Sequence, residues 1–405
     1  MRVLVCTPHM PYPPRGGGRA DVWRRIEALT RLGHSVMLLH QHEADGPRAP
    51  LPEHFEHMDE VLSDRFSFTV KRSKLRTVRQ LLGMWRLPWL VTKAVPSGEA
   101  LAGTERAVAD FAPDMILLEG PWFGELGRRF AAEFNAPIVY RSHNIEHLYL
   151  KRQAQASRSV PYRVAWRLAT VGLKAYELTL MHSARLVLDI SLDDLQFWRS
   201  QGVAGISWLP PLPELALSHP PTDRFPVDVL FVGGLRFPNN VQGVRWLVDE
   251  VLPLVQSSHP GIVLSVVGST PDEGLRAELA ANPAVRTFFD VDSVNPYLFG
   301  AKVLVNPVSI GSGVQVKMLD MLMTDAPIIT RSNGARGLPQ RCVTQFEIAD
   351  TKEAFATAIV TQLQKPTVDT VERGRVREIF TLASVQRALE ELSQPPAGEE
   401  HSPTR

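Results

Sequence analysis

The chain has 405 residues, too many for one ordinary hydrophobic core, and this length predicts two domains. Hydrophobic residues make up 44% and charged residues 21%, values that are typical of a globular protein with a packed core and not of a disordered chain. The formal net charge of +1 argues against a protein built mainly to coat nucleic acid.

The first ten residues carry one basic side chain and no long apolar run before Pro8, so they predict a strand and not a secretory signal. No stretch approaches the roughly 18 uninterrupted apolar residues that a membrane-spanning helix needs. The two cysteines, Cys6 and Cys342, lie far apart in the sequence and indicate neither a disulfide framework nor a cysteine metal site. The expected compartment is the cytoplasm.

The first half opens with a strand, a helix and a second strand, predicted at 3–6, 22–29 and 35–39. The loop between the first strand and the helix contains Gly17 and Gly18 and spans about a dozen residues. A dinucleotide fingerprint instead packs its glycines into a tight turn directly after the strand. Binding of a nicotinamide dinucleotide is therefore disfavoured.

A basic stretch, residues 71–93, contains seven basic residues and no acidic one, interleaved with leucine and tryptophan. This composition suits the anionic surface of a membrane. A helix that packs on its own domain and exposes a solvated basic face explains it equally well.

The alternation resumes with strands predicted at 114–119 and 137–140 and a helix at 124–134. Polar residues then cluster just past the second of these strands, which is where open α/β sheets bind ligands. His143 and Asn144 are the candidate site residues in this cluster. The alternative is that they only cap the next helix of a long basic segment that runs to about residue 184.

Residues 208–222 hold five prolines in fifteen residues, which prevents a helix and favours an extended linker. The predicted domains follow from this break. They are an N-terminal domain at 1–207, a linker at 208–225, a C-terminal domain at 226–365, a helical segment at 366–392 and a disordered tail at 393–405.

The second half repeats the α/β alternation, with strands predicted at 227–232, 262–267, 285–289, 303–305 and 327–330. Gly234 lies in the turn after the first of them. Asn239 and Asn240 are the expected caps of a helix at 241–255.

The most informative stretch is Gly311-Ser-Gly-Val-Gln-Val-Lys-Met-Leu-Asp320, a glycine loop between a strand and a predicted helix. Glycine permits a close approach of backbone N–H groups to phosphate, and a helix start carries partial positive charge. Lys317 adds a full charge, and Asp320, on the same helix face, offers an acceptor for sugar hydroxyls. The pattern suggests a nucleotide or a nucleotide sugar, the alternative being an ordinary solvated helix start.

Together these residues resemble family 4 glycosyltransferases of the GT-B fold. The resemblance in the second half rests on Phe231-Val-Gly-Gly-Leu235, Pro238-Asn-Asn-Val-Gln-Gly-Val-Arg-Trp246, Val266-Val-Gly268, the 311–320 motif, Ala326-Pro-Ile-Ile-Thr330 and Gly334-Ala-Arg-Gly-Leu338. Weaker similarity in the first half covers the proline-then-glycine loop, Gly33-His-Ser-Val36 and Arg141-Ser-His-Asn144.

The resemblance implies an α/β protein with two Rossmann-like domains facing across a cleft. It further implies transfer of a sugar from a nucleotide-diphosphate sugar to a saccharide or lipid-linked acceptor with retention of configuration, with no catalytic metal and no other cofactor. The lack of a secretory signal and the basic stretch 71–93, and not the resemblance, predict that the protein is cytoplasmic or peripheral on the inner membrane face. The implied donor-binding residues are Gly17, Gly18, Gly234, Arg236, Gly311, Ser312, Gly313, Lys317 and Asp320. The implied catalytic residues are Lys317 and His143, and the acceptor or cleft residues are Glu119, Arg141 and Asn144.

Several residues depart from the family pattern. Many relatives carry two glutamates where this chain has Ser312 and Asp320, and an arginine where it has Gln315, so the second cation is expected to be Arg236. Arg336 stands where a glutamate is common. These departures leave two alternatives: a non-catalytic nucleotide-sugar-binding partner of a transferase, and a nucleotide-sugar epimerase of the same fold.

Overall fold

The computed structural model describes residues 1–14, 16–42, 50–69, 87–156, 159–214, 221–269, 271–311 and 313–393. The chain forms two compact units, the first comprising Met1–Pro14, Arg25–Pro210 and the part from Leu382 onward, the second comprising Arg15–Arg24 and Pro211–Thr381. Four sets of residues discussed above lie outside the described residues: Ser312, 71–86 of the basic stretch, 215–220 of the predicted linker, and 394–405 of the predicted tail.

The first unit contains a seven-stranded parallel sheet. Its strands are β1 (Arg2–Thr7), β2 (Ser35–His42), β3 (Asp64–Thr69), β4 (Met115–Glu119), β5 (Ile138–Ser142), β6 (Leu186–Asp189) and β7 (Ile206–Trp208), in the order β3-β2-β1-β4-β5-β6-β7. The helices up to this point of the chain are α1 (Gly17–Arg31), α2 (Pro52–Val61), α3 (Trp89–Ala94), α4 (Glu99–Phe111), α5 (Gly124–Phe134), α6 (Glu146–Ala156), α7 (Val160–Ala169), α8 (Leu173–Ser183) and α9 (Leu192–Ser200).

The second unit contains a six-stranded parallel sheet. Its strands are β8 (Val227–Gly234), β9 (Leu264–Ser269), β10 (Val285–Phe289), β11 (Ala301–Asn306), β12 (Ile328–Thr330) and β13 (Phe346–Ile348), in the order β10-β9-β8-β11-β12-β13. The remaining helices are α10 (Pro238–Trp246), α11 (Leu252–Ser258), α12 (Glu273–Ala280), α13 (Asn295–Gly300), α14 (Val316–Leu322), α15 (Gln340–Val343), α16 (Lys352–Gln364), α17 (Thr370–Arg377) and α18 (Leu382–Glu390).

The central strands form because their apolar runs are buried on both faces of the sheets. The side chains of Val3, Leu4 and Val5 in β1 and of Val303, Leu304 and Val305 in β11 are fully buried. Helices that cover both faces of a parallel sheet require such continuous apolar runs. Both units are therefore Rossmann-like α/β structures.

The structure differs from the sequence-based elements in several places. Helix α1 begins at Gly17, so Gly17 and Gly18 lie in its first turn and not in the loop before it. Trp208 belongs to β7, although the linker was expected to begin there. The helical segment expected at 366–392 is divided into α17 and α18, which belong to different units. Strand β3 and helices α2 and α4 were not predicted at all.

Arg373, on α17, is a buried cation that ties several loops of the second unit together. It is 1% exposed and donates to the carbonyl oxygens of Thr324 (3.0 Å), Ala326 (3.4 Å) and Gln345 (3.1 Å) and to the side-chain oxygen of Gln345 (3.0 Å). Burial lowers the pKa of Arg373 to about 10, so the group stays charged at neutral pH.

We expect Arg373→Met to lower the free energy of unfolding by about 2–4 kcal/mol, because it leaves buried carbonyl groups without donors. The control is Arg375→Met on the same helix, whose side chain is 61% exposed and pairs with Glu372. That change should cost less than about 1 kcal/mol. Thermal unfolding measures both variants, and equal melting temperatures would contradict the structural role of Arg373.

Candidate functional site

In the first unit, a histidine and a carboxylate meet at the ends of two neighbouring strands. Glu119 is the last residue of β4 and His143 directly follows β5, and His143 Nε2 lies 2.5 Å from Glu119 Oε2. Glu119 is 3% exposed, and its second oxygen, Oε1, has no hydrogen-bond partner among the described residues. The pair fixes the orientation of the imidazole ring, which is what a residue that acts on a substrate requires.

The other two candidates of this cluster have different surroundings. Arg141 was expected past the end of its strand, but β5 continues to Ser142, and Arg141 is fully buried. Its Nη1 donates to the carbonyl oxygen of Leu209 at 3.0 Å, so part of its guanidinium supports the backbone after β7. Asn144 Nδ2 lies 3.5 Å from Glu146 Oε1, a long contact at the start of α6.

The start of α6 is capped by a residue that the sequence did not reveal. Glu177, on α8, is fully buried and accepts hydrogen bonds from the backbone N–H groups of Glu146 (2.9 Å) and His147 (3.2 Å). Its Oε2 also lies 2.7 Å from His147 Nδ1. A carboxylate from another helix therefore satisfies the orphan donors of α6.

Two further carboxyl groups at this sheet edge have pKa values near neutrality. Burial, with the nearby charge of Glu177, raises the pKa of Glu146 to about 7. Burial also raises the pKa of Asp189, the last residue of β6, to about 7, although Ser191 N donates to it at 2.8 Å. Carboxyl groups that titrate near neutral pH are candidates for proton transfer, and the sequence analysis named neither.

In the second unit, Lys317 is a desolvated cation near the start of α14. Its ammonium donates to Asn240 Oδ1 at 3.1 Å and lies 4.7 Å from the centre of the Phe231 ring. The residue as a whole is half-buried, and desolvation lowers its pKa to about 7. Lys317 forms no ion pair with any carboxylate in the described part of the chain. Because α14 has only seven residues, we assign the positive charge of this site to Lys317 and not to the helix terminus.

Asn240 was expected to cap a helix, but it connects Lys317 to Gly234, which was expected in a turn and is the last residue of β8. Helix α10 begins at Pro238, with Phe237 at the N-cap position, so Asn240 lies inside the helix. Its Nδ2 donates to the carbonyl oxygen of Gly234 at 2.9 Å, while its Oδ1 accepts from Lys317. Asn240 is therefore a site residue.

The candidate glycines differ in how much space surrounds them. A β-carbon at Gly234 would come within 3.0 Å of the Phe237 ring, and one at Gly17 would lie 3.5 Å from the Val316 side chain. A β-carbon at Gly18 would have no neighbour within 4 Å. Gly234 thus permits close packing on Phe237, whereas a β-carbon at Gly17 would make an ordinary contact and one at Gly18 would face open space.

The loop before α14 is held by a neutral amide. Gln315 accepts from Asn306 Nδ2 at 3.1 Å and donates to the carbonyl oxygen of Asn333 at 3.2 Å. Gly313 has φ +65, which favours glycine, and a β-carbon at Gly311 would lie 3.0 Å from the side chain of Asn333. Gln315 therefore fixes the loop without adding charge.

Arg236, the expected second cation, and Arg336, which stands where a glutamate is common, are both exposed. The guanidinium of Arg236 lies 4.9 Å from the centre of the Phe237 ring. The described contacts do not bring Arg236 or Arg336 to Lys317.

Asp320 is engaged by an arginine that the sequence did not indicate. Both carboxylate oxygens accept from Arg24, at 2.9 and 3.1 Å, and Oδ1 also accepts from the backbone N–H of Glu214 at 3.0 Å. All three residues belong to the second unit. A carboxylate has about four acceptor positions, so Oδ2 keeps one for a further donor.

Within the described residues, no group of three or more His, Cys, Asp or Glu side chains is arranged to hold a metal ion. No helix in the same part of the chain has the length and apolar character needed to span a membrane.

Residues 226–365, which contain Lys317 and Asp320, match the family described as glycosyl transferases group 1. Over 376 residues the chain is 25% identical to an uncharacterized 44.6 kDa protein in the cps region of Klebsiella pneumoniae, covering 89% of this chain and 90% of that protein.

Solved structures show the same fold. TarM of S. aureus, crystallised as a point mutant with fondaparinux, alpha-GlcNAc-glycerol and UDP, gives a TM-score of 0.65 at 8% identity, covering 97% of this chain and 100% of that one. Sucrose-phosphate synthase of Thermosynechococcus elongatus gives 0.64 at 18% identity, with 97% and 98% covered. Alr3699/HepE of Anabaena, crystallised with UDP-glucose, gives 0.62 at 12% identity, with 97% and 99% covered. The expected GT-B fold with two Rossmann-like domains is thus confirmed.

We expect Glu146→Gln to melt at a higher temperature than the wild type at pH 8 and at the same temperature near pH 4.5. The pKa of Glu146 in the folded protein, about 7, lies above its usual value of 4.5, so the unfolded chain releases this proton first. Stability therefore falls as pH rises from about 4.5 to 7, and glutamine removes this loss. The control is Glu133→Gln, at an exposed position of α5. A difference between Glu146→Gln and wild type that does not change with pH would contradict the assignment.

We expect Arg24 and Asp320 to be strongly coupled in a double-mutant cycle. Arg24→Met or Asp320→Asn alone leaves a buried group without its partner and should cost about 3–5 kcal/mol. The double variant should cost about 1–3 kcal/mol less than the sum. The control pair is Arg245 and Glu278, whose side chains are 48% and 36% exposed, and its coupling should stay below about 1 kcal/mol. Chemical denaturation measures both coupling energies. Equal coupling energies for the two pairs would contradict the structural role assigned to Asp320.

Proposed function

We propose that this protein is a glycosyltransferase that moves a sugar from a nucleotide-diphosphate sugar to a saccharide or lipid-linked acceptor with retention of configuration. The observation that carries the proposal is Lys317, a desolvated ammonium whose described neighbours supply an amide oxygen and an aromatic ring but no anion. A diphosphate would supply the missing charge.

The comparisons support a donor of this kind. Residues 226–365 match a glycosyltransferase family. Two structures of the same fold were crystallised with UDP or UDP-glucose. The relative in the cps region supports a role in the synthesis of a polysaccharide or another glycoconjugate.

In the proposed reaction, the bond between the sugar and the diphosphate breaks and the diphosphate leaves with the bonding electrons. The oxygen of the acceptor hydroxyl then bonds to the same sugar carbon, and its proton passes to the departing diphosphate. Negative charge grows on the diphosphate in the transition state, and a positioned cation such as Lys317 stabilises it. Arg236 is the proposed second cation.

The other candidate residues have supporting roles in this proposal. Gly17, Gly18, Gly234, Gly311 and Gly313, together with Ser312, would let the backbone approach the donor. Asp320 would accept from a ribose hydroxyl through the acceptor position left on Oδ2. The proposed reaction uses the nucleotide sugar as co-substrate and includes no cofactor.

In the first unit, His143 is the second proposed catalytic residue, and Glu119 orients its ring. Arg141 and Asn144 are proposed to support the acceptor site. Arg141 would do so through the backbone after β7, since its side chain is buried.

A non-catalytic nucleotide-sugar-binding protein is the second candidate function. It is favoured by Ser312 and Asp320 in place of a glutamate pair, and by the engagement of Asp320 with Arg24. Such a protein would bind the donor without turnover. A nucleotide-sugar epimerase would instead convert the donor in the absence of any acceptor.

Lys317 should take up a proton when it binds a nucleotide diphosphate. With a pKa of about 7, the free lysine is mostly neutral at pH 8 and charged at pH 6, and a bound diphosphate raises this pKa. Calorimetry in two buffers that differ in ionisation enthalpy should therefore show uptake of close to one proton at pH 8 and almost none at pH 6. Suitable ligands are UDP, GDP and ADP, screened first by thermal shift. Lys317→Arg should bind without proton uptake.

Lys317→Met should lower turnover by about 100-fold to 1000-fold, while thermal stability stays equal or rises because a desolvated charge is removed. The control is Lys302→Met on β11, whose side chain is 67% exposed and pairs with Asp228. Unchanged nucleotide affinity and turnover in a folded Lys317→Met variant would show that the donor site is wrongly placed.

A further inference from the structure

Helix α7 in the first unit has an apolar stripe that faces solvent. Val160, Val164 and Leu168 recur every four residues, and Val171 follows two residues after the helix ends. The side chains of these four residues are 56%, 49%, 58% and 64% exposed. On another face of the same helix, Trp166 packs against the core of the unit. The helix is therefore anchored by one face while a second apolar face has no cover among the described residues.

The stripe is a patch and not a chance scatter of apolar residues. Twelve large apolar side chains are exposed in the described part of the chain, and four of them fall within residues 160–171. Isolated exposed apolar residues need no explanation, whereas a contiguous patch marks an interaction surface.

The charged residues in the sequence around the stripe are all basic. Residues 147–176 contain six basic residues and no acidic one. Arg163 and Arg167 each precede a stripe residue by one position, so they form a parallel row along one flank of the helix. Lys151, Arg152 and Lys174, on the neighbouring helices, are exposed as well. We call this combination of stripe and basic residues the α7 surface.

We propose that the α7 surface docks on an anionic lipid bilayer. Aliphatic side chains that enter the acyl boundary and arginines that reach the headgroups are what an interfacial helix uses. Helix α3, the described end of the basic stretch 71–93, packs against α7.

Other occupants fit the surface less well. A second copy in a symmetric contact would bring like charges together. Residues 70–86 of this chain carry six basic residues and no acidic one, so they cannot supply the missing negative charge. Protein interfaces favour aromatic anchors, which the exposed stripe does not contain. The inference does not depend on the proposed transferase activity.

A fluorescent label tests the proposal directly. Both native cysteines are buried, so an introduced exposed cysteine can be labelled selectively. The full-length Leu168→Cys variant carrying an environment-sensitive fluorophore should show a blue shift with vesicles of phosphatidylcholine and phosphatidylglycerol (roughly 7:3) at low salt. The shift should disappear at about 0.5 M NaCl, where charge is screened within a few ångströms, and with phosphatidylcholine alone. The control is the same label at Val371→Cys, 67% exposed in the second unit, where no shift is expected.

Flotation with the same vesicles separates the two components of the surface. Val164→Ser with Leu168→Ser should weaken binding roughly tenfold or more, through lost apolar burial. Arg167→Gln with Lys174→Gln should weaken it roughly fivefold per residue and flatten its salt dependence. Val371→Ser, the matched control, should change nothing.

Three results would overturn the proposal. The first is unchanged vesicle binding by the two double variants. The second is a dimer in light scattering that Val164→Ser with Leu168→Ser converts to a monomer, which would assign the surface to a second copy. The third is binding to polyglutamate but not to vesicles, which would assign it to an acidic protein.

Discussion

A parallel sheet that is covered by helices on both faces has only its strand ends left for polar chemistry. In this protein the final residue of six strands is buried and polar, whereas most residues in the strand interiors are apolar. These residues are Thr7, Glu119, Ser142, Asp189, Asn306 and Thr330. Because all strands of a parallel sheet end at the same edge, each unit gathers its polar groups at one edge. Of the candidate residues, Glu119 and His143 lie at this edge, whereas Arg141 is buried within β5.

At these edges the second unit has a cation without an anionic partner among the described residues, and the first unit has several buried carboxyl groups close together. Lys317 is desolvated, and the ring of Phe231 offsets only part of that cost, since a cation–π contact contributes about 0.5–2 kcal/mol. In the first unit, Glu146 and Asp189 keep their protons to about pH 7 because burial and neighbouring carboxylates disfavour their ionised forms. Neither arrangement maximises stability. Such local costs are typical of sites that wait for a charged ligand or move a proton.

The fold was predictable from the sequence where a single local signal decides the structure. Continuous apolar runs predicted the central strands, but the edge strand β3, Asp64–Thr69, alternates in polarity and is only half-buried, so it gave no such signal. Asn240 had the residue type of a helix cap, yet its side chain connects Gly234 and Lys317. The hydrogen bonds that the Asn240 side chain makes in the folded structure override the preference of asparagine for helix caps.

The same limit applies to the sites. Lys317, Asp320 and His143 were named from their motifs, whereas Glu177 and Arg24 were not, because their functions depend on partners that the sequence does not mark. Glu177 caps a helix start 31 residues before it, and Arg24 pairs with a carboxylate 296 residues further along the chain. No periodicity or composition in either segment indicates such a pairing.

The pair of Arg24 and Asp320 also explains how glycines near the N-terminus come to lie beside the lysine motif. Helices α1 and α14 touch at two places within the second unit: Gly17 lies against Val316, and Arg24 binds Asp320. Within this unit, two separate contacts hold residues 17–24 of α1 against α14 more firmly than a single contact would. The start of α1 is therefore fixed beside Lys317 before any ligand arrives. A site assembled in advance loses less conformational freedom on binding, and the carboxylate of Asp320 holds the part of α1 that carries Arg24 in place.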